Sequence, residues 1–133
     1  MNKHFTNLMN KPITFADLLG KELVEVTGCE KKSGAIVFKC KDGRTFQLYH
    51  TPECCENVRV EDVCGEVSDL IGSPILQAEV SNSGNTDNAT EPRDFSHTWT
   101  FYRITTMKGQ VVIRWLGESN GYYSEEVDFC ELI

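Results

Sequence analysis

His97-Thr98-Trp99-Thr100-Phe101-Tyr102-Arg103-Ile104-Thr105-Thr106-Met107 passes through Lys108-Gly109 into Gln110-Val111-Val112-Ile113-Arg114-Trp115-Leu116-Gly117-Glu118-Ser119. That run passes in turn through Asn120-Gly121 into Tyr122-Tyr123-Ser124-Glu125-Glu126-Val127-Asp128-Phe129. Aromatic and β-branched residues recur through these runs, and they suit the pleated, half-buried surface of a strand. Asn-Gly between strand-like runs signals a tight hairpin, because both residues tolerate positive φ. The stretch predicts a three-stranded antiparallel meander. It holds both tryptophans and three of the four tyrosines, so the aromatic part of the core is expected here.

Upstream, a period of two returns in Leu23, Val24 and Val26, in Ala35-Ile36-Val37-Phe38 and in Thr45-Phe46-Gln47-Leu48-Tyr49. The breaks at Lys31-Lys32-Ser33-Gly34 and Lys41-Asp42-Gly43-Arg44 read as turns, which makes a second meander. Between the meanders, Val58 to Cys64 alternates as a strand with one wet face. Glu66 to Ile71 fits a helical turn ended by Gly72, and Ser73-Pro74 restarts an extended run through Val80. Thr14 ahead of Phe15-Ala16-Asp17-Leu18-Leu19, with Gly20 as a stop, predicts one short N-terminal helix whose Phe15, Leu18 and Leu19 lid the sheet. Residues 1–13 read as a flexible arm. Residues 81–96, rich in Asn, Ser, Thr, Asp and Gly, read as a mobile loop, since they bury too little to offset their ordering entropy. The expected fold is α+β and mostly β: antiparallel sheets of about seven or eight strands built from two meanders, in a single domain over residues 1–133.

A chain of 133 residues supports one core. Its net charge of -7 and isoelectric point near 4.9 oppose wrapping of nucleic-acid phosphates, so no direct nucleic-acid contact is expected. No run approaches the roughly 18 apolar residues of a membrane span, so no membrane is expected either. The six cysteines come without a visible secretory signal, which places the chain in the cytoplasm with free thiols.

Cys54-Cys55-Glu56, Asp69-Leu70-Ile71-Gly72-Ser73-Pro74-Ile75, Trp99-Thr100-Phe101-Tyr102, Lys108-Gly109 and Ile113 to Ser124 carry a resemblance. The chain resembles, over about residues 20–130, a family of small domains of unknown function encoded by bacteriophages and bacteria. Gly117-Glu118-Ser119-Asn120-Gly121-Tyr122-Tyr123-Ser124 is the most specific block. The resemblance brings no activity and no residue roles. It implies an origin, a phage accessory gene or one acquired from a phage, acting inside a bacterial cell.

Three constellations can carry chemistry. His50, Cys54 and Cys55 are zinc-type donors, yet adjacent cysteines on extended chain point to opposite faces, and the candidates for a second ligand pair, Cys64 and Cys130, lie in no Cys-x2-Cys unit. No metal and no cofactor are therefore assigned. A cysteine nucleophile assisted by His50 or His97 is opposed by the acids Glu53, Glu56, Glu61, Asp62, Glu66 and Asp69, which disfavour a thiolate. Arg114, Trp115, Glu118, Asn120, Tyr122 and Tyr123 are the assigned binding residues, because aromatic side chains with Arg compose binding hot spots. On a hairpin, Trp115 and one tyrosine would face inward, while Arg114, Glu118 and the other tyrosine line an exposed end.

The expectation that follows is a non-catalytic binding protein that inhibits a bacterial host protein, a defence or nucleic-acid-handling factor. The alternatives are a sponge for a small nucleotide, held by Trp115, Tyr122, Arg114 and Arg103, and a small zinc module. Exposed strand edges also allow a homodimer.

Overall fold

The computed structural model describes residues 13–85 and 96–132. Among these, eight strands form two antiparallel sheets. In chain order they are β1 (Leu23–Thr27), β2 (Ala35–Cys40), β3 (Thr45–Tyr49), β4 (Asn57–Cys64), β5 (Gln77–Asn85), β6 (Ser96–Thr106), β7 (Gly109–Ser119) and β8 (Asp128–Leu132). One sheet runs β1-β2-β3-β8 and the other β4-β7-β6-β5. The expected β-rich antiparallel architecture is therefore present. Its helical part is confined to two single turns of 3-10 helix, Phe15–Leu18 and Val67–Leu70.

Alternation in the sequence becomes two-sidedness in the sheets. Ile36, Phe38, Phe46 and Leu48 point inward from β2 and β3, and Tyr102, Ile104, Val111, Ile113 and Trp115 meet them from β6 and β7. The result is one core shared by both sheets, with Trp115, Phe38 and Phe46 its largest fully buried side chains. The 3-10 turn at Phe15–Leu18 begins where Thr14 N–H donates to Asp17 Oδ2 (3.0 Å). Phe15 wedges between the sheets, 4.8 Å from Tyr102 and 5.3 Å from Phe129 by ring centroids. Phe15 and Leu18 supply the expected lid, whereas Leu19 is half exposed.

The upstream meander pairs as read, with Gly43 (φ +93°) in the left-handed region at the Asp42-Gly43 turn. The C-terminal one does not. β6 and β7 form a long hairpin closing at Met107-Lys108, with Thr106 opposite Gly109. The third run is not a strand over residues 122–127, where the chain crosses to the other sheet; only its end, Asp128 and Phe129, enters β8, which pairs with β3 with Phe129 opposite Leu48. Two physical reasons account for the difference. A tight Asn-Gly hairpin of type I′ needs positive φ at both residues, and only Gly121 (+95°) adopts it. The free edge of β7 is also already occupied by β4, with Val60 opposite Trp115.

Glu125 fixes that crossover, accepting Thr98 Oγ1 (2.7 Å) and Ser119 Oγ (2.5 Å). The chain lies so close that a Cβ on Gly117 would sit 2.8 Å from the Glu125 carbonyl oxygen. A bidentate pair then clamps β8 to β3, Arg44 Nε and Nη2 to the two carboxylate oxygens of Glu131 (3.0 and 2.9 Å). Of the expected arm and mobile loop, residues 1–12 and 86–95 lie outside the described residues; Ile13 packs against the core, 81–85 belong to β5 and Ser96 opens β6.

Candidate functional site

Because Trp115 and its alternate neighbours face the core, the intervening residues of β7 and their cross-strand partners on β6 face outward. Trp99 lies opposite Leu116, and Phe101 opposite Arg114. The Trp99 and Phe101 rings stack in parallel, 6.2 Å apart and 1° from coplanar, and the Arg114 guanidinium carbon sits 5.3 Å from the Trp99 centroid. Leu116 is buried beside them although it is no part of the shared core, so the outer face carries a small apolar cluster of its own.

Charged side chains border this cluster. Toward β4, Arg114 pairs with Asp62 (3.6 Å), and Arg59 spans Glu61 (3.1 Å) and Glu118 (3.0 Å), with His97 3.6 Å from Glu118. Toward β5, Arg103 pairs with Glu79 (3.8 Å). Such exposed pairs each contribute little to stability. Their alternating sign instead gives the face a charge pattern that a partner can match. Among the described residues, Arg114 Nε is shielded from solvent and finds no acceptor.

Of the residues assigned from sequence, Arg114 and Glu118 belong to this face. Trp115 does not: it is fully buried, so it offers no surface to a partner, and it cannot line a nucleotide pocket with Tyr122 and Arg103. Asn120, Tyr122 and Tyr123 lie on the β7–β8 crossover, where Asn120 Oδ1 accepts the Tyr122 N–H (2.9 Å). Tyr122 is 81% exposed, and its ring meets that of Tyr123 edge-on at 4.9 Å. Trp99 and Phe101 were the residues missed. The signal was their parity: both are an odd number of residues from inward-facing Tyr102.

The second cluster lies where the chain passes from β3 to β4. His50 Nδ1 contacts the Glu126 carbonyl oxygen (2.8 Å) and His50 Nε2 contacts Glu56 Oε2 (2.6 Å). Glu56 also accepts the backbone N–H groups of Glu53 (2.7 Å) and Cys54 (3.0 Å). Its carboxyl is pushed down to about 2, first by the His50 contact and then by the Cys54 amide. Both side chains are almost wholly enclosed. Here the sequence expectation of free thiols fails for two cysteines. The backbone bends at residues 54 and 55 instead of running extended, which brings the sulfur atoms together in a Cys54–Cys55 disulfide. With both His50 ring nitrogens engaged, His50, Cys54 and Cys55 do not converge on a common point. Among the described residues no three His, Cys, Asp or Glu side chains are placed to hold a metal ion.

A cleft of about 370 Å³ opens beside Phe15, lined by Val80, Tyr102, Val127 and Phe129 with Glu126 at its side. Burial pushes the Tyr102 hydroxyl and the neighbouring Asp128 carboxyl upward from their ordinary values.

Among the described residues no helix is long and apolar enough to cross a membrane. No curated protein and no solved structure matches the chain. Residues 16–129 match the family described as Domain of unknown function (DUF7448), and the chain belongs to that family.

Proposed function

We propose that this chain is a non-catalytic binding protein of phage type, which occupies and inhibits a host protein in the bacterial cytoplasm through the outer face of the β4-β7-β6-β5 sheet. The observation that carries the reading is the Trp99–Phe101 stack with Arg114 laid over Trp99. Aromatic rings and Arg at the centre of a patch, with polar residues around them, form the arrangement in which a few side chains supply most of the binding energy. The partner is a protein with an apolar projection to cover the rings and a basic rim to meet Asp62, Glu61 and Glu118. A chain of net charge -7 meets such a rim at a rate that falls with salt. A nucleic-acid-handling factor, in defence or otherwise, has the basic surface this requires.

The test is capture from bacterial lysate at low and high salt, with the wild-type chain beside Trp99→Ala and Phe101→Ala. The expected result is a stoichiometric protein at low salt that both variants lose. A lysate that yields no stoichiometric partner, or a partner retained by both variants, contradicts the proposal.

A further inference from the structure

The six cysteines fall into three groups. Burial pushes the thiols of Cys29 and Cys40 up to about 11 and raises that of Cys130, so all three are poor nucleophiles. Cys64 is exposed and stands apart at the end of β4. Cys54 and Cys55 are adjacent, exposed and joined to each other.

The bend that presents them is built from buried groups. Glu56, enclosed and held by His50, accepts the Cys54 N–H at 3.0 Å and the Glu53 N–H at 2.7 Å. His50 is itself fastened to the Glu126 carbonyl oxygen on the second crossing between the sheets. A carboxylate accepting two backbone amides in succession fixes the turn there. Two exposed, joined cysteines thus sit on a backbone held by an enclosed carboxylate.

From this geometry we infer that Cys54 and Cys55 form a thiol–disulfide exchange site whose co-reactant is a dithiol, with Glu56 and His50 as its positioning residues. In the exchange, one thiolate of the dithiol attacks a sulfur atom of the pair. The Cys54–Cys55 bond breaks, and the displaced sulfur leaves as a thiolate that takes a proton from solvent. The second thiol of the dithiol then displaces the remaining cysteine. Two electrons and two protons pass to Cys54 and Cys55, and the dithiol leaves as its own disulfide. The inference is independent of the aromatic face.

The full chain is equilibrated against graded ratios of reduced and oxidised dithiothreitol, quenched with iodoacetamide and mapped by mass spectrometry. Cys54 and Cys55 are expected to gain or lose their labels together, as a single two-electron couple within one molecule. Cys29, Cys40 and Cys130 should stay unlabelled in the folded protein. Glu56→Gln is expected to shift the midpoint ratio about fivefold or more, the equivalent of one lost hydrogen bond, while Glu30→Gln leaves it in place. Cys55→Ser, which keeps Glu56, should lose the internal couple and accept glutathione at Cys54. Two cysteines labelled at every ratio, or joined only between molecules, overturn the exchange site. An unmoved midpoint in folded Glu56→Gln overturns the positioning role.

Discussion

Trp99 and Trp115 share a residue type and one sheet, yet their surroundings give them opposite tasks. Trp115 is enclosed by both sheets, so Trp115→Ala is expected to lower stability by about 3–5 kcal/mol in urea denaturation. Trp99 rests on Phe101 and under Arg114 at the surface, so Trp99→Ala should remove only about 1 kcal/mol by the same measurement. Glu56 adds a pH dependence. Its folded-state value of about 2 lies below the ordinary 4.5, so the ionised carboxylate stabilises the fold above about pH 4.5, and that stabilisation is lost as pH falls toward 2. Thermal denaturation of wild type and Glu56→Gln should therefore show a gap in midpoint that is widest above pH 4.5 and closes toward pH 2. Equal gaps at both ends would show that the carboxylate's charge is not what holds the turn.

Strands were legible wherever one face is dry. Ile36, Phe38, Phe46 and Leu48 alternate with polar or smaller neighbours, and both strands lie where that alternation puts them. The β7–β8 crossover was not legible, because Asn120-Gly121 has the composition of a hairpin and only long-range competition decides otherwise. β4 takes the edge of β7, and Glu125 turns the chain away through Thr98 and Ser119. Glu125→Ala removes both acceptors and is expected to destabilise by about 1–3 kcal/mol. Hydrogen exchange should register the change first in β8, whose amides should exchange faster, while those of the β6–β7 hairpin are less affected. Uniform acceleration across all strands would contradict this order. The candidate face was half legible for a related reason. Arg114 and Glu118 could be chosen by type alone, but choosing Trp99 and rejecting Trp115 requires knowing which side of the sheet is inside.

The molecule is closed by its last strand. β8 completes the first sheet from the far end of the chain, brings Phe129 against Phe15 and Phe46, and is clamped by Arg44 and Glu131. A chain ending at Asn120 would keep the β6–β7 hairpin and lose Phe129 and Cys130 from the protein interior. It is expected to show no cooperative thermal transition by circular dichroism, because two sheets that share one core cannot be stable separately. A sharp transition in the truncated chain would mean that the second sheet folds alone. Such pairing of distant segments is what a sequence conceals most: alternation reveals that β3 is a strand, and nothing local tells it that residues 128–132 are its neighbour.

The placement of the two indoles on opposite sides of one sheet has an optical consequence. Trp115, shut away from water, should emit toward the blue and resist acrylamide, whereas half-buried Trp99, next to a guanidinium, should emit further to the red and be quenched more than Trp115. Anything that settles on the outer face would shield the second chromophore and leave the first unchanged, so the protein carries its own unlabelled reporter of occupancy.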